Sequence, residues 1–224
     1  MKFKQAFLTL LILSTAFLQK AISQEDEIIK LADEPTFTQD SDNWYRISIP
    51  FAILQHPSLK ALQGTKPSSP EAAFNPDFVD DFKIKIIVCF TNEFKKRLFR
   101  TNNLPESSFY DYYASELVFS TQKLQRGKQY AHFLFPAAIA ERDGYAGSYL
   151  KCTGYVVEFS IEGTPMEISN SISFAKYKDE ATLLKFKEQA ESKSSTNDGK
   201  LIPAHYVFPN VIPKGSHAKT PFSN

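Results

Sequence analysis

Apolar residues recur at every second position between residues 81 and 90, and this stretch sets the expectation for the whole chain. Lys83 and Lys85 fall on the opposite side of an extended backbone. Because the side chains of a strand point alternately to its two faces, the pattern predicts a strand with one buried and one wet face. The side predicted to be buried carries Phe82, Ile84, Ile86, Val88 and Phe90.

The same period of two predicts further strands at residues 44–54, 112–123, 129–135, 148–162 and 166–174. Gly163, Thr164 and Pro165 turn the last two into a hairpin. Pro50 has no N–H to donate, so it is expected to place strand 44–54 at a sheet edge. The other side chains expected to face the core are Tyr45, Ile47, Ile49, Phe51, Ile53, Tyr113, Leu117, Phe119, Ala131, Phe133, Phe135, Tyr155, Val157, Phe159 and Ile161.

One longer helix is predicted late in the chain, over residues 179–193. Leu183, Phe186 and Ala190 form its apolar stripe among Lys, Glu and Gln. A short connecting helix is predicted over residues 136–142, starting at a proline. Strands do not alternate with helices as they do in a parallel sheet. We therefore predict a mainly β protein, a single antiparallel β-sandwich with one late α-helix and an extended C-terminal tail.

Residues 1–23 have the pattern of a cleaved signal peptide: Lys2 and Lys4, an apolar run over 6–18, then Ala21 and Ser23 flanking a cleavage position. An uncleaved membrane anchor is the alternative, although the run is short for a span of roughly 20 residues. The predicted organisation is a signal peptide at 1–23, a flexible acidic leader at 24–42, the sandwich domain at 43–212 and a mobile tail at 213–224.

The net charge of the chain limits the classes of partner that we expect. The first 23 residues hold three lysines and no acidic residue, which leaves 23 basic against 25 acidic residues in the exported chain. Such a near-neutral protein has no global field that would attract nucleic acid or anionic lipid, and we exclude nucleic acid as a partner. The expected location is the periplasm, the outer membrane or the cell surface, peripheral to a membrane at most.

Cys89 and Cys152 are the two cysteines, and an oxidising compartment favours a disulfide between them. Two separate buried thiols are the alternative. Both cysteines lie opposite to the apolar rows of their strands. A bridge is therefore expected to join neighbouring strands of one sheet, on the face away from the core and beneath helix 179–193.

Residue patterns predict no catalytic, cofactor-binding or metal-binding residues. His56, His132, His205 and His217 show no metal-ligand spacing, and no nucleophile motif occurs. Asp77, Asp80 and Asp81 lack the central glycine of a calcium loop and are expected to face solvent. Carboxylate pairs of a glycosidase need no sequence spacing, so a carbohydrate-binding or carbohydrate-active module stays open as an alternative.

A possible interaction surface includes Trp44 and Arg46 on the polar side of the first long strand. Its other members are Lys95, Lys96, Arg97 and Arg100, interleaved with Phe94, Leu98 and Phe99. A basic patch with aromatic residues can bind a polyanion, whereas a charged edge strand or a short helix would show the same pattern.

Residues 43–47, 80–90 and 112–136 resemble small exported proteins of verrucomicrobial bacteria that are encoded beside type IV pilus-like assembly genes. The resemblance covers residues 43–175 and implies an immunoglobulin-like sandwich. It also implies a non-enzymatic structural or assembly role in the cell envelope, in pilus-like assembly or surface adhesion, with envelope or pilus-assembly proteins as partners. It carries over no catalytic residues.

Overall fold

Two antiparallel sheets lie face to face in the computed structural model, which describes residues 27–40, 43–59, 69, 75–147, 150–175 and 177–220. The predicted signal peptide at 1–23 lies outside the described residues. The strands are β1 (Ile29–Leu31), β2 (Thr36–Gln39), β3 (Trp44–Ile53), β4 (Phe78–Thr91), β5 (Tyr110–Lys123), β6 (Gln129–Pro136), β7 (Cys152–Ile161), β8 (Thr164–Met166), β9 (Ile172–Phe174), β10 (Ile202–Pro203) and β11 (His217–Ala218). The α-helices are α1 (Glu93–Leu98), α2 (Ala137–Asp143) and α3 (Glu180–Ser194).

The first sheet has the order β1-β3-β6-β10, with β2 also paired to β3, and the second has the order β11-β5-β4-β7-β8, with β9 also paired to β7. The chain changes sheet between β3 and β4, between β5 and β6, and between β6 and β7. Taking β3, β4, β6 and β7 as strands B, C, E and F, the pairs B–E and C–F are those of an immunoglobulin-like sandwich. The predicted fold class is confirmed.

The main core lies between the sheets and is rich in aromatic rings. Every side chain of β3 to β7 that alternation placed inward is buried in this core, including the whole row from Phe82 to Phe90. Phe82 stacks on Phe119 with 5.8 Å between ring centroids, and Phe90 lies 5.3 Å from Phe135 of the other sheet. The period of two predicted the part of this core that the long strands supply, because it holds along their inner faces where the strands are not bulged.

β3 is an inner strand, so the prediction that Pro50 marks a sheet edge was wrong. β1 pairs with residues 51–53 of β3 and β2 pairs with residues 45–48, which leaves Pro50 at the break between the two. No ladder bond from its nitrogen is needed there, while its carbonyl accepts from the N–H of Ala32 at 2.9 Å. The leader was therefore also mispredicted as flexible over 29–31 and 36–39, and Ile29 is buried in the main core.

A second, smaller core lies between the outer face of the second sheet and helix α3. The helix begins where Asp179 Oδ1 accepts from the N–H of Thr182 at 2.9 Å. Its buried side chains are Phe186, Ala190 and Ser194, whereas Leu184 is exposed. Phe186 stacks on Phe174 at 4.4 Å, directly above Gly154 of β7. A Cβ at position 154 would lie 2.9 Å from Phe186 Cζ, so the close approach of helix and strand requires glycine there.

Residues 201–218 close the open side of the sandwich between β6 and β5. β10 extends the first sheet and β11 extends the second, and Leu201 and Ala218 both belong to the main core. Lys219 forms an ion pair with Asp81 at 2.7 Å, and its carbonyl accepts from His205 Nε2 at 2.9 Å. The predicted mobile tail at 213–224 is therefore wrong for residues 217–219, and residues 221–224 lie outside the described part of the chain.

Candidate functional site

One end of the sandwich brings most of the predicted interaction residues together. β3 and β5 begin at this end and β4 and β6 finish there, as the pairs Trp44–Pro136 and Thr91–Tyr110 show. Helix α1 and the turn after it connect β4 to β5 across this end. We call this segment, residues 93–105, the tip. It carries Lys95, Lys96, Arg97 and Arg100.

A buried asparagine starts helix α1. The Oδ1 atom of Asn92 accepts from the N–H of Lys95 at 2.9 Å, which satisfies a donor at the helix start. The helix ends at Phe99, whose N–H donates to the carbonyl of Lys95 at 3.0 Å. Of the two structures left open by the sequence for this segment, the short helix is confirmed and the charged edge strand is wrong.

Asp111 anchors the tip to the body of the protein. Its Oδ2 atom accepts from Asn92 Nδ2 at 2.8 Å and from the hydroxyl of Tyr145 at 2.5 Å, while Oδ1 accepts from Lys95 Nζ at 2.6 Å. Tyr145 in turn lies 3.0 Å from the hydroxyl of Tyr113, and its ring stacks on Phe90 at 5.0 Å. The Asp111 carboxylate thus connects three groups: Asn92, which caps helix α1, Lys95 of the tip, and Tyr145, whose ring packs at this end of the core.

The electrostatics of this network keep its charges fixed at neutral pH. Burial alone would raise the pKa of Asp111, but hydrogen bonds from Asn92, Lys95 and Tyr145 hold it below its usual value. Burial raises the pKa of Tyr113 to about 12, and burial together with the bond to Asp111 raises the pKa of Tyr145. Both hydroxyls therefore stay protonated, and Tyr145 can donate to an ionised carboxylate.

The orientation of helix α1 is the reverse of that of an ordinary surface helix, because its apolar side chains face water. Its inner side carries Lys95, which reaches Asp111, and none of its residues is buried. Phe94 and Leu98, one helical turn apart, are exposed by 52% and 63%, and Phe99 and Leu104 beyond them by 41% and 46%. A surface helix normally turns its apolar side to the core, whereas α1 leaves these apolar side chains in contact with water.

The predicted cationic residues of the tip have different roles. Lys95 is used internally, and Lys96 forms an exposed ion pair with Glu106 at 3.1 Å. Arg97 and Arg100 are exposed and form no ion pair with any residue in the described part of the chain, although Arg97 Nε donates to the carbonyl of Glu93 at 3.4 Å. The two arginines are therefore the cations of the tip that no carboxylate of the described residues neutralises.

The other two residues of the predicted surface, Trp44 and Arg46, lie on β3 and are not part of the tip. Trp44 is half-buried at the start of the strand. Arg46 forms an ion pair with Asp40, which follows β2. This pair secures β2 against β3 and leaves Arg46 with an internal partner.

A groove of 710 Å³ lies between helix α3 and the outer face of the second sheet. Lys85 and Lys187 both bind Glu158 on its floor, at 3.0 and 2.7 Å. Burial alone would raise the pKa of Glu158, but these two lysines lower it. The general acid of a glycosidase needs a raised pKa, so Glu158 has the opposite property from the one that the carbohydrate-active alternative requires.

The predicted disulfide is not formed, and both cysteines are free thiols. They do lie on neighbouring strands of one sheet, as expected, with Cys89 in the second core beneath α3. Cys152, however, packs against the main core. Cys89 pairs with Gly154 and Phe90 pairs with Cys152, so Thr153 is an extra residue that turns Cys152 to the opposite face.

Histidines and acidic residues form no candidate metal site within the described residues. Asp80 accepts from the hydroxyl of Thr121 at 2.9 Å and Asp81 pairs with Lys219, so these carboxylates secure strand ends. His132 Nδ1 lies 2.9 Å from the hydroxyl of Ser48 on the neighbouring strand. Within the same residues, no helix is long and apolar enough to cross a membrane.

Comparisons with solved structures find distant similarity in fold. No protein-family model matches the chain, and no curated protein matches it in sequence. A solved structure from Akkermansia muciniphila, a verrucomicrobial bacterium, is similar with a TM-score of 0.49 and 13% identity. The similarity covers 86% of this chain and 94% of that one. At this level it carries no argument about function.

Proposed function

We propose that this protein is a non-enzymatic contact module of the cell envelope and that the tip is its contact surface. The observation that carries the proposal is the inverted helix α1, which places Phe94 and Leu98 in water and its lysine toward the body. Exposing these side chains costs free energy that a partner surface would recover. The Asp111 network holds the helix in this orientation, as a contact site on a rigid scaffold requires.

The envelope location is supported by the signal-peptide pattern at residues 1–23. The finer role, in pilus-like assembly or surface adhesion, is supported by the resemblance of residues 43–175 to exported verrucomicrobial proteins. The partners in this role are envelope or pilus-assembly proteins and the membrane surface beside them. Contact through the edge of β3 is not part of the proposal, because β1, β2 and β6 cover that strand on both sides.

Cell fractionation tests the proposal. The wild-type protein is compared with the double variant Phe94→Ser and Leu98→Ser, and each preparation is divided into envelope and soluble fractions. The matched control is Leu54→Ser with Leu184→Ser, two leucines that are 48% and 49% exposed on other parts of the surface. We expect the wild type and the control to remain with the envelope and the tip variant to be released. An equal distribution of all three proteins would contradict the proposed contact surface.

A further inference from the structure

We infer that the tip docks on an anionic lipid surface, with its apolar side chains in the interfacial region of the bilayer and Arg97 and Arg100 on the headgroup phosphates. This inference rests on the proposed function, because it names the partner of the same contact surface. Three features of the tip support it: its shape, its charge and its area.

The shape of the tip suits insertion. Residues 97–106 are ten consecutive exposed residues beyond the ends of β4 and β5. Phe94 and Leu98 point away from the body on one side of α1, and Phe99 and Leu104 extend the apolar surface into the turn. Interfacial segments use the same combination, with Phe or Leu on one side and Arg or Lys beside them.

The charge of the tip is complementary to anionic headgroups. The tip has four basic residues and one acidic residue, Glu93, at its start. Lys95 and Lys96 are held by Asp111 and Glu106, so Arg97 and Arg100 supply the attraction. The whole chain is close to neutral, and this attraction is therefore local, acting within about 8–10 Å of the surface at physiological salt. A guanidinium group also binds phosphate with two parallel hydrogen bonds.

The area of the apolar patch is sufficient for binding to a lipid surface. The four apolar side chains of the tip expose on the order of 400 Å². A bilayer needs no matching surface, and a few inserted side chains with cationic neighbours are enough for reversible binding.

Vesicle sedimentation tests the inference with the protein as purified from the cells that produce it. Two probes are used: vesicles of phosphatidylethanolamine with phosphatidylglycerol, and vesicles of phosphatidylcholine alone. The variants are Phe94→Ser with Leu98→Ser, and Arg97→Gln with Arg100→Gln. Their controls are Leu54→Ser with Leu184→Ser, and Arg126→Gln with Lys214→Gln, which change exposed residues elsewhere. All variants share the same amino terminus, so any binding through the apolar run 6–18 is common to all.

We expect the wild type and both controls to bind the anionic vesicles more tightly than the neutral ones. The apolar tip variant should lose about tenfold or more in affinity, and the arginine variant should lose its preference for anionic vesicles and its salt dependence. Equal binding of wild type and tip variants to anionic vesicles would overturn the inference. The inference would also be overturned if the wild type bound neither kind of vesicle while its fractionation still depended on Phe94 and Leu98. The proposed function would then stand, with a protein as the partner of the tip.

Discussion

Asp111 should hold the tip in place, and the substitution Asp111→Asn tests this directly. The amide has nearly the same shape as the carboxylate but has one acceptor oxygen and one donor nitrogen. In the wild type, both carboxylate oxygens receive donors: Asn92 and Tyr145 on Oδ2, and Lys95 on Oδ1. In either orientation, the new NH₂ group therefore faces at least one donor.

The structure indicates which orientation costs less. Lys95 is 45% exposed and can turn to water, whereas Asn92 and Tyr145 are buried and cannot. The amide oxygen should therefore face Asn92 and Tyr145, and the NH₂ group should displace Lys95. Two buried hydrogen bonds then lose the charge of their acceptor. Since charged hydrogen bonds are roughly twice as strong as neutral ones, we expect a loss of about 2–3 kcal/mol in unfolding free energy. For a chain of this size, that corresponds to a fall in Tm of about 4–12 °C.

Urea unfolding of wild type and variant at pH 7 measures the loss, and hydrogen exchange of the α1 amides locates it. Asp33→Asn is the matched control, because Asp33 pairs with Lys128 at 3.2 Å on the open surface and should have no measurable effect. The folded pKa of Asp111 is lowered, so its stabilisation is complete above the unfolded value of about 3.9 and is lost as pH falls below it. If Asp111→Asn costs no more than Asp33→Asn, the anchoring role is refuted.

Three further predictions concern the two cores and the closing segment, which is the stretch of residues 201–218 that closes the open side of the sandwich. Gly154→Ala should cost about 1–3 kcal/mol in urea unfolding, because its Cβ would lie 2.7 Å from the carbonyl oxygen of Ser173, and an unchanged midpoint would contradict this. Ellman's reagent should find two thiols per chain after unfolding without reductant and none before unfolding. The reason is that burial raises the pKa of the Cys89 thiol, and burial also raises the pKa of the Cys152 thiol to about 12. An intact mass lower by two hydrogen atoms would show a disulfide instead. Burial lowers the pKa of His205, so its stabilising contribution should be present above the unfolded value of about 6.5 and decline as pH falls below it. His205→Gln should reduce this decline in unfolding free energy between pH 7.5 and 5.5, and an identical decline would argue against the role of His205.

Strand alternation predicted the main-core side chains of the long strands correctly because most of their inward positions are apolar. It failed for the short strands. β1 and β2 have three and four residues, too few to show a period, and they form because β3 offers them an unpaired edge. The same long-range pairing places Pro50 at the break between β1 and β2 rather than at a sheet edge. The same limit applies to β10 and β11, which have two residues each.

The candidate site was predicted in part. The basic residues 95–100 were recognised from the sequence, but the anchor formed by Asp111 and Tyr145 was not, because these residues are far apart in the chain and meet only in the fold. A usable signal did exist: Phe94 and Leu98 are one helical turn apart in a stretch without acidic residues. The orientation of Cys152 could not be predicted, since the single extra residue Thr153 reverses the alternation on which its assignment depended.

The closing segment has a consequence for when the protein can fold. β10 and β11 complete different sheets, and both come from residues 202–218, which follow all the other strands in the chain. Until they arrive, the side of the sandwich between β5 and β6 lacks Leu201 and Ala218 from its core. A chain that emerges amino end first therefore completes neither sheet until residues 202–218 have followed β1 to β9.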